Sequence, residues 1–386
     1  MRVLHLTTEY PPIIYGGLGS AVGGLVRASE TAGIDVSVLL VGEGVLGGYG
    51  GDLLRRPDSV DAEREINLFT TQWHSAADYA LQLVRRWSPD VIHLHVFWLW
   101  PLAHHLHEMT GTPLVYTVHS LDLAEYEIGH GPPVCLRQWP LQNAAIAGAS
   151  IVVAPSRSEQ ELVAHYCPEV LERLIVAGHG IDNVPRSHSA AMASEEPILL
   201  FTGRFVDRKG IRDLLDAIPL VLQASPTAQV VLAGGARGAT RSEIEAWWSP
   251  AALGPYRARV TFTGWLSQDE MTNCYASADV LVVPSSYEPF GMVILEAMAH
   301  GLAIAASAVG GPAEILDHGR TGLLFPPHNV EALAETLIRL ANDASLRSRL
   351  GRAAFEEVQH CWLWSKKIDR FHDIYELAAE RSTCVS

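Results

Sequence analysis

Two doubly wound α/β domains, each a parallel sheet covered by helices on both faces, are what this sequence predicts. Three observations lead there. Short, almost wholly apolar runs of strand length recur along the chain with helical stretches between them, and that alternation marks a parallel sheet buried on both sides. The alternation stops at a polar, unpatterned stretch, Asn183 to Glu196, which has the composition of a linker, and then restarts. The chain has 386 residues, roughly two to three times a common domain. With 48% apolar against 18% charged residues it can fill two cores, which excludes a disordered or low-complexity protein.

In order, the runs before the linker are Val3 to Thr8, Val36 to Val41, Val91 to Val96, Leu114 to His119 and Ile151 to Pro155. After it come Ile198 to Gly203, Val230 to Gly234, Val260 to Thr263, Val280 to Pro284, Ala303 to Ala308 and Leu323 to Phe325. The last segment places Trp364, Ile368, Phe371, Tyr375 and Ala378 at spacings of four and three, so a terminal helix has one apolar face that needs a surface. That surface is either its own domain or, the sharper reading, the N-terminal one.

Lys and Arg number 28 against 43 Asp and Glu, a net charge of −15. Such a surface repels phosphate backbones and anionic lipid, so nucleic-acid binding is disfavoured as a main role. The first residues hold a strand-length apolar run without the longer core of a signal peptide, and no run is long enough to span a membrane. The five cysteines, Cys135, Cys167, Cys274, Cys361 and Cys384, are widely spaced and read as reduced thiols of a cytoplasmic protein.

The most informative segment is Ser285 to His300, SSYEPFGMVILEAMAH, directly after a strand. Open α/β sheets bind ligands beyond the carboxyl ends of their strands. Pro289 suits the first turn of a helix there, and free N–H groups around Phe290, Gly291 and Met292 suit an anion. Glu288 stands before that start and Glu296 eight residues on, ~12 Å along a helix at ~1.5 Å per residue. One carboxylate for hydroxyls at each end of a nucleotide sugar, with the diphosphate between, fits this spacing; the plain alternative is a solvated helix face. A second loop, FTGRFVDRKG, lets Arg204 and Lys209 converge on phosphate oxygens without a metal, or else pair with Asp207. A third, Tyr10 to Gly19, brings Gly16, Gly17 and Gly19 after the first strand and can turn amides toward a phosphate or sugar. His93 and His95 are expected to face opposite sides of their strand as core or pocket histidines rather than a metal pair, and His104, His105 and His107 to lie on a helix surface. The chain lacks a P-loop, an HExxH and a GxSxG.

These segments together resemble the retaining nucleotide-sugar glycosyltransferases of the GT-B fold, family 4 in particular, and more distantly the glycogen and starch synthases. The likeness runs through TTEYPPIIYGGLG, PDVIHLHVFW, YTVHS, SIVVAPSRSE, GHGIDN, TGRFVDRKG, TGWLSQDE, YASADVLVVPSSYEPFGMVILEAMAHG and GLLFPP. It implies two Rossmann-like domains facing across a cleft. An acceptor-binding domain would span 1–185 with the helix 366–386 crossing back to it, and a donor-binding domain 186–365. Gly16, Gly17 and Gly19 match the glycine loop beside the donor, and His119 the histidine below the reacting sugar. Arg204 and Lys209 match the basic pair on the diphosphate, Glu288 the glutamate near the transferred sugar and Glu296 the one on the ribose. Gly291, Met292 and Val293 match the helix start that touches phosphates and sugar. The synthase lysine of KTGGLG is missing, since Ile14 and Tyr15 precede the glycines, and NGID reads His179, Gly180, Ile181, Asp182.

The resemblance further implies hexosyl transfer with retention, from a UDP-sugar before an ADP- or GDP-sugar, with no cofactor and no metal; the matched segments hold no DxD. A double displacement would need a carboxylate nucleophile at the anomeric carbon, and no matched residue supplies one, so front-face departure and attack is expected. The expected acceptor is a small neutral or cationic molecule, such as a sugar or aminocyclitol, held partly by the segment from Gly42 to Arg64. An ADP-glucose-dependent glucan or maltose-phosphate synthase, a silent sugar-nucleotide module and a phosphorylase or epimerase of the same architecture are the alternatives. A dinucleotide oxidoreductase fails for want of GxGxxG.

Overall fold

The computed structural model describes residues 1–11, 14, 16–41, 52–55, 73–182, 195–235 and 254–383. Most of the Asn183 to Glu196 linker, most of the Gly42 to Arg64 segment, parts of the Tyr10 to Gly19 loop and Cys384 lie outside them. The chain divides into two compact units: Met1–Leu123, Pro133–Asp182 and Trp364–Ser386 form one, and Ala124–Pro132 with Asn183–Leu363 the other. The divisions fall at 182/183 and 363/364, and the stretch Ala124–Pro132, given to the first domain by the sequence reading, groups with the second unit.

The first unit is built on strands β1 (Arg2–Thr7), β2 (Asp35–Val41), β3 (Asp52–Arg55), β4 (Val91–Leu94), β5 (Leu114–Thr117), β6 (Ile151–Ala154) and β7 (Leu174–Val176), in spatial order β3-β2-β1-β4-β5-β6-β7. All pair in parallel except β3, which runs antiparallel to β2. β3 and β7 went unseen in the sequence because one is an edge strand inside a Gly- and Arg-rich stretch and the other has three residues. The parallel strands are apolar along their length because helices cover both faces.

The terminal helix, Trp364–Thr383, belongs to this unit. Its Ile368, Phe371, Tyr375 and Ala378 are buried in one cluster with Val22, Leu25 and Val26 of the helix Gly17–Thr31 and with Val3, Val36 and Val115 of the sheet. Gly24 makes that packing possible: a Cβ there would sit 2.0 Å from Nε1 of Trp364. The Trp364 N–H donates to the Ile181 carbonyl at 3.1 Å, which fixes the start of the helix.

The second unit carries β8 (Ile198–Gly203), β9 (Gln229–Gly234), β10 (Val260–Gly264), β11 (Val280–Val283), β12 (Ala303–Ser307) and β13 (Leu323–Phe325), in the order β10-β9-β8-β11-β12-β13, all parallel. Strand order reverses between β8 and β11, and crevices beyond the carboxyl ends at such a point are where open sheets take ligands. Both strands end in the segments the sequence singled out. Among the described residues no helix is long and apolar enough to cross a membrane, and Cys135, Cys167, Cys274 and Cys361 form no disulfide.

Candidate active site

In the second unit the loops after β8 and β11 lie against each other. Gly210 takes a left-handed conformation at φ 66°, and a Cβ on it would stand 1.9 Å from the Pro284 carbonyl oxygen, so only glycine permits this approach. The Ser286 N–H donates to the Arg208 carbonyl at 2.9 Å, tying the loops together. The result brings Lys209 to Glu288: the ammonium pairs with Glu288 Oε2, and Ser285 Oγ donates to the same oxygen at 3.3 Å. Both side chains are largely buried, at 18% and 9% exposure. Burial pushes the Glu288 carboxyl up, but Lys209 and Arg208 outweigh it and hold it below its ordinary value. Burial, with Arg208 and Arg204 beside it, lowers Lys209 against the pull of Glu288. Arg208 is itself buried, its Nε 3.1 Å from Glu125 Oε1; burial opposes its charge, yet Glu125 and Glu288 raise its pKa. Arg204 stands exposed on the same loop.

The helix after β11 begins at Met292, capped by Gly291 at φ 103°. Pro289 therefore lies ahead of the helix rather than in its first turn. Glu296 stands just over one turn inside, not two, so the helical rise spans only part of its distance from Glu288. Tyr275 donates from its hydroxyl to Glu296 Oε2 at 2.7 Å. Burial raises the Glu296 carboxyl, and Tyr275 pulls it back only in part. The His300 ring stacks on Tyr275 with centroids 5.3 Å apart.

In the first unit Gly16 caps the helix Gly17–Thr31 in extended backbone, and a Cβ on Gly19 would press on Ile14 and Glu9. His119 follows β5, its Nε2 3.2 Å from Nδ1 of His95, and its ring stacks on His179 with centroids 5.1 Å apart. His93 and His95 do not face opposite sides: residues two apart along a strand share a face, and the rings lie 4.0 Å apart. His93 is held by Tyr375 Oη at 2.9 Å and Thr117 Oγ1 at 2.7 Å. His104 is exposed and His105 and His107 half-buried on the helix Trp100–Thr110.

A family described as Glycosyl transferases group 1 matches residues 186–357, and a Glycosyl transferase 4-like domain matches residues 16–175. Alpha-maltose-1-phosphate synthase of Mycolicibacterium smegmatis is 31% identical, over 97% of this chain and 99% of its own. The chain belongs to the group 1 glycosyltransferases. Glycogen synthase of Mycobacterium tuberculosis (strain CDC 1551 / Oshkosh) is 28% identical, over 99% of this chain and 95% of its own. Among solved structures, that of Anabaena Alr3699/HepE in complex with UDP-glucose superposes with a TM-score of 0.74 at 18% identity, over 97% and 98% of the two chains. The two units are the two Rossmann-like domains of the GT-B fold.

For this glycosyltransferase the sequence reading missed the residues that hold its chosen ones in place. Arg208 was visible in FTGRFVDRKG but gave no sign of being buried, and its partner Glu125 lies far back in the chain. Tyr275 and Ser285 stood inside quoted segments without a pattern to mark them. His5, on β1, was read only as strand.

Proposed function

We propose that this glycosyltransferase moves a sugar, with retention, from a nucleoside-diphosphate sugar to a hydroxyl of a small polar or carbohydrate acceptor, without a metal ion. The observation that carries the reading is the buried Lys209–Glu288 pair at the end of β11, with Arg208 behind it and the Gly291-capped helix start beside it. Phosphate oxygens would meet Arg204, Lys209 and the amides of Met292 and Val293, which stabilise the departing diphosphate as its charge grows. Glu288 would sit at the sugar end, its carboxylate engaged by Lys209 and Ser285 rather than held free as a nucleophile. Front-face departure follows, with a diphosphate oxygen helping to remove the acceptor proton. Glu296, oriented by Tyr275, would accept from the ribose hydroxyls. Gly16, Gly17, Gly19 and His119 are the first domain's contribution, and that domain would take the acceptor in the cytoplasm.

UDP is the favoured donor base, supported by the UDP-glucose named for the Anabaena protein. The likeness to alpha-maltose-1-phosphate synthase over nearly the whole chain favours a second reading, an ADP-glucose-dependent glucan or maltose-phosphate synthase. Incubation with UDP-, ADP-, GDP- and dTDP-sugars against a panel of sugar and sugar-phosphate acceptors, with product mass and anomeric configuration read by mass spectrometry and NMR, decides between them. An inverted product would defeat retention, and turnover abolished by EDTA and restored by Mg²⁺ would defeat the metal-free site.

A further inference from the structure

Three imidazoles stand in series in the first unit, His5 and His95 buried and His119 half-buried. Nδ1 of His5 lies 2.9 Å from Nε2 of His95, and Nδ1 of His95 lies 3.2 Å from Nε2 of His119. The His5 and His95 rings are stacked, 5.2 Å apart and within 12° of parallel. Burial keeps the series uncharged: His5 is pushed down to about 3, and His95 and His119 well below the ordinary imidazole value. His179, the neighbour stacked on His119, is pushed down to about 4 by the same cause. His93 stands alongside with both nitrogens already engaged by Tyr375 and Thr117.

A neutral imidazole carries one proton, on one nitrogen, and offers a bare acceptor at the other. Three neutral rings joined by two hydrogen bonds hold two protons in the bridges. The third must sit at an end of the series, on Nε2 of His5 or on Nδ1 of His119. These ends are not equivalent. His5 is 0% exposed, and among the described residues its Nε2 has no hydrogen-bond partner, whereas His119 keeps part of its surface open. A donor sealed away without an acceptor is costly and rare, more so than an under-satisfied acceptor. An N–H on His119 can be met by water or by a ligand.

We propose that this asymmetry fixes the tautomers of the whole series: His5 Nδ1–H donates to His95, His95 Nδ1–H donates to His119 Nε2, and His119 presents Nδ1–H outward. His5 and His95 are then positioning residues that make His119 a hydrogen-bond donor and deny it the part of a general base through Nδ1. Where the sugar reading above holds, the acceptor of that bond is an oxygen of the transferred sugar.

The test reads protons rather than turnover, with ¹⁵N-histidine-labelled full-length protein at pH 7 and long-range ¹H–¹⁵N correlation to separate protonated from bare ring nitrogens. Expected is Nδ1–H on His5, His95 and His119, at a ratio of at least ~10:1 over the other tautomer on His119. His95→Leu should collapse that ratio on His119. His95→Gln should restore it, because the amide N–H donates to His119 Nε2 while its carbonyl accepts from His5 Nδ1–H. If His95→Leu fails to fold, the wild-type spectrum decides alone. Nε2–H on His119, a near-equal mixture, or a ratio unchanged in His95→Leu would overturn the proposal. So would a zinc chloride titration that shifts the nitrogens of His5, His93 and His95 and is reversed by EDTA, since the ligand atoms of these three rings lie within 4.8 Å of one another. If the tautomers are as expected but His119→Ala turns over normally, the series stands and the role given to His119 in sugar transfer falls.

Discussion

Each unit buries one polar cluster, and the two clusters are kept by opposite means. In the second, Arg208, Lys209, Glu288 and Glu125 go into the protein as ions and are kept there by one another. In the first, His5, His93, His95 and His119 go in uncharged, and hydrogen bonds between neutral groups replace counter-charges. A diphosphate brings two or more negative charges and suits a site where cations are already desolvated; a sugar brings hydroxyls and suits neutral donors and acceptors. On the proposed function, the charged cluster would serve the diphosphate and the neutral one the sugar.

The largest expected effect attacks the charged half. Lys209→Ala leaves Glu288 without its partner, and breaking a buried pair costs about 3–5 kcal/mol. Denaturant melts should show that loss together with a fall in kcat of roughly 10²-fold or more. The double variant Lys209→Met with Glu288→Leu should regain stability and not activity; unchanged stability in the single variant would mean that the two charges are not coupled. Lys209 thus serves the fold through Glu288 as well as any leaving group.

The next effect attacks the neutral half with acid. His5 and His179 are depressed to about 3 and about 4, while the unfolded chain takes up protons near 6.5. The unfolded state therefore binds more protons from pH 6.5 downward, and folding stability falls as pH falls through that window. At pH 5.5 each of these two histidines should cost about 1.4 kcal/mol. Glu288, held low, keeps its contribution until the pH falls below the ordinary carboxyl range, and Glu296, held high, shifts stability the other way. Hydrogen exchange followed unit by unit at pH 7 and 5.5 should show the first loosening before the second. Equal loosening would mean that the histidines are already charged.

The smallest effect probes orientation. Tyr275→Phe removes one hydrogen bond to Glu296, worth about 1 kcal/mol. Calorimetry should find nucleoside diphosphate bound several-fold more weakly with kcat nearly unchanged. Glu296→Gln should weaken it further, and Glu288→Gln should leave nucleotide affinity intact while slowing transfer. Equal losses of affinity in the two glutamate variants would erase the distinction drawn between the two ends of the donor.

The sheets were legible in the sequence because a parallel strand buried on both faces is a continuous apolar run, and Ile198–Gly203 and Leu323–Phe325 were bounded to the residue. So were the loops after β8 and β11, where FTGRFVDRKG and SSYEPFGMVILEAMAH stood out by their cations, carboxylates and Gly291. The supporting contacts were not legible. His5 meets His95 from 90 residues away, and Tyr375 meets His93 from 282; no local spacing encodes such pairs. Nor does a sequence show that a strand-to-helix turn keeps Pro289 outside the helix, because the stop is set by where Gly291 turns left-handed.

The place of the last helix in the first unit has a consequence for synthesis. On the ribosome, β1 to β7 are made first, yet the cluster around Phe371 and Tyr375 stays open until the helix Trp364–Thr383 has been made. At typical elongation rates of about 5–20 residues per second, that wait lasts roughly 10–40 s. The second unit, apart from the short stretch Ala124–Pro132, is contiguous and can close its core during the wait. Until that helix is made, Val22, Leu25 and Val26 lack the apolar face that covers them in the folded unit.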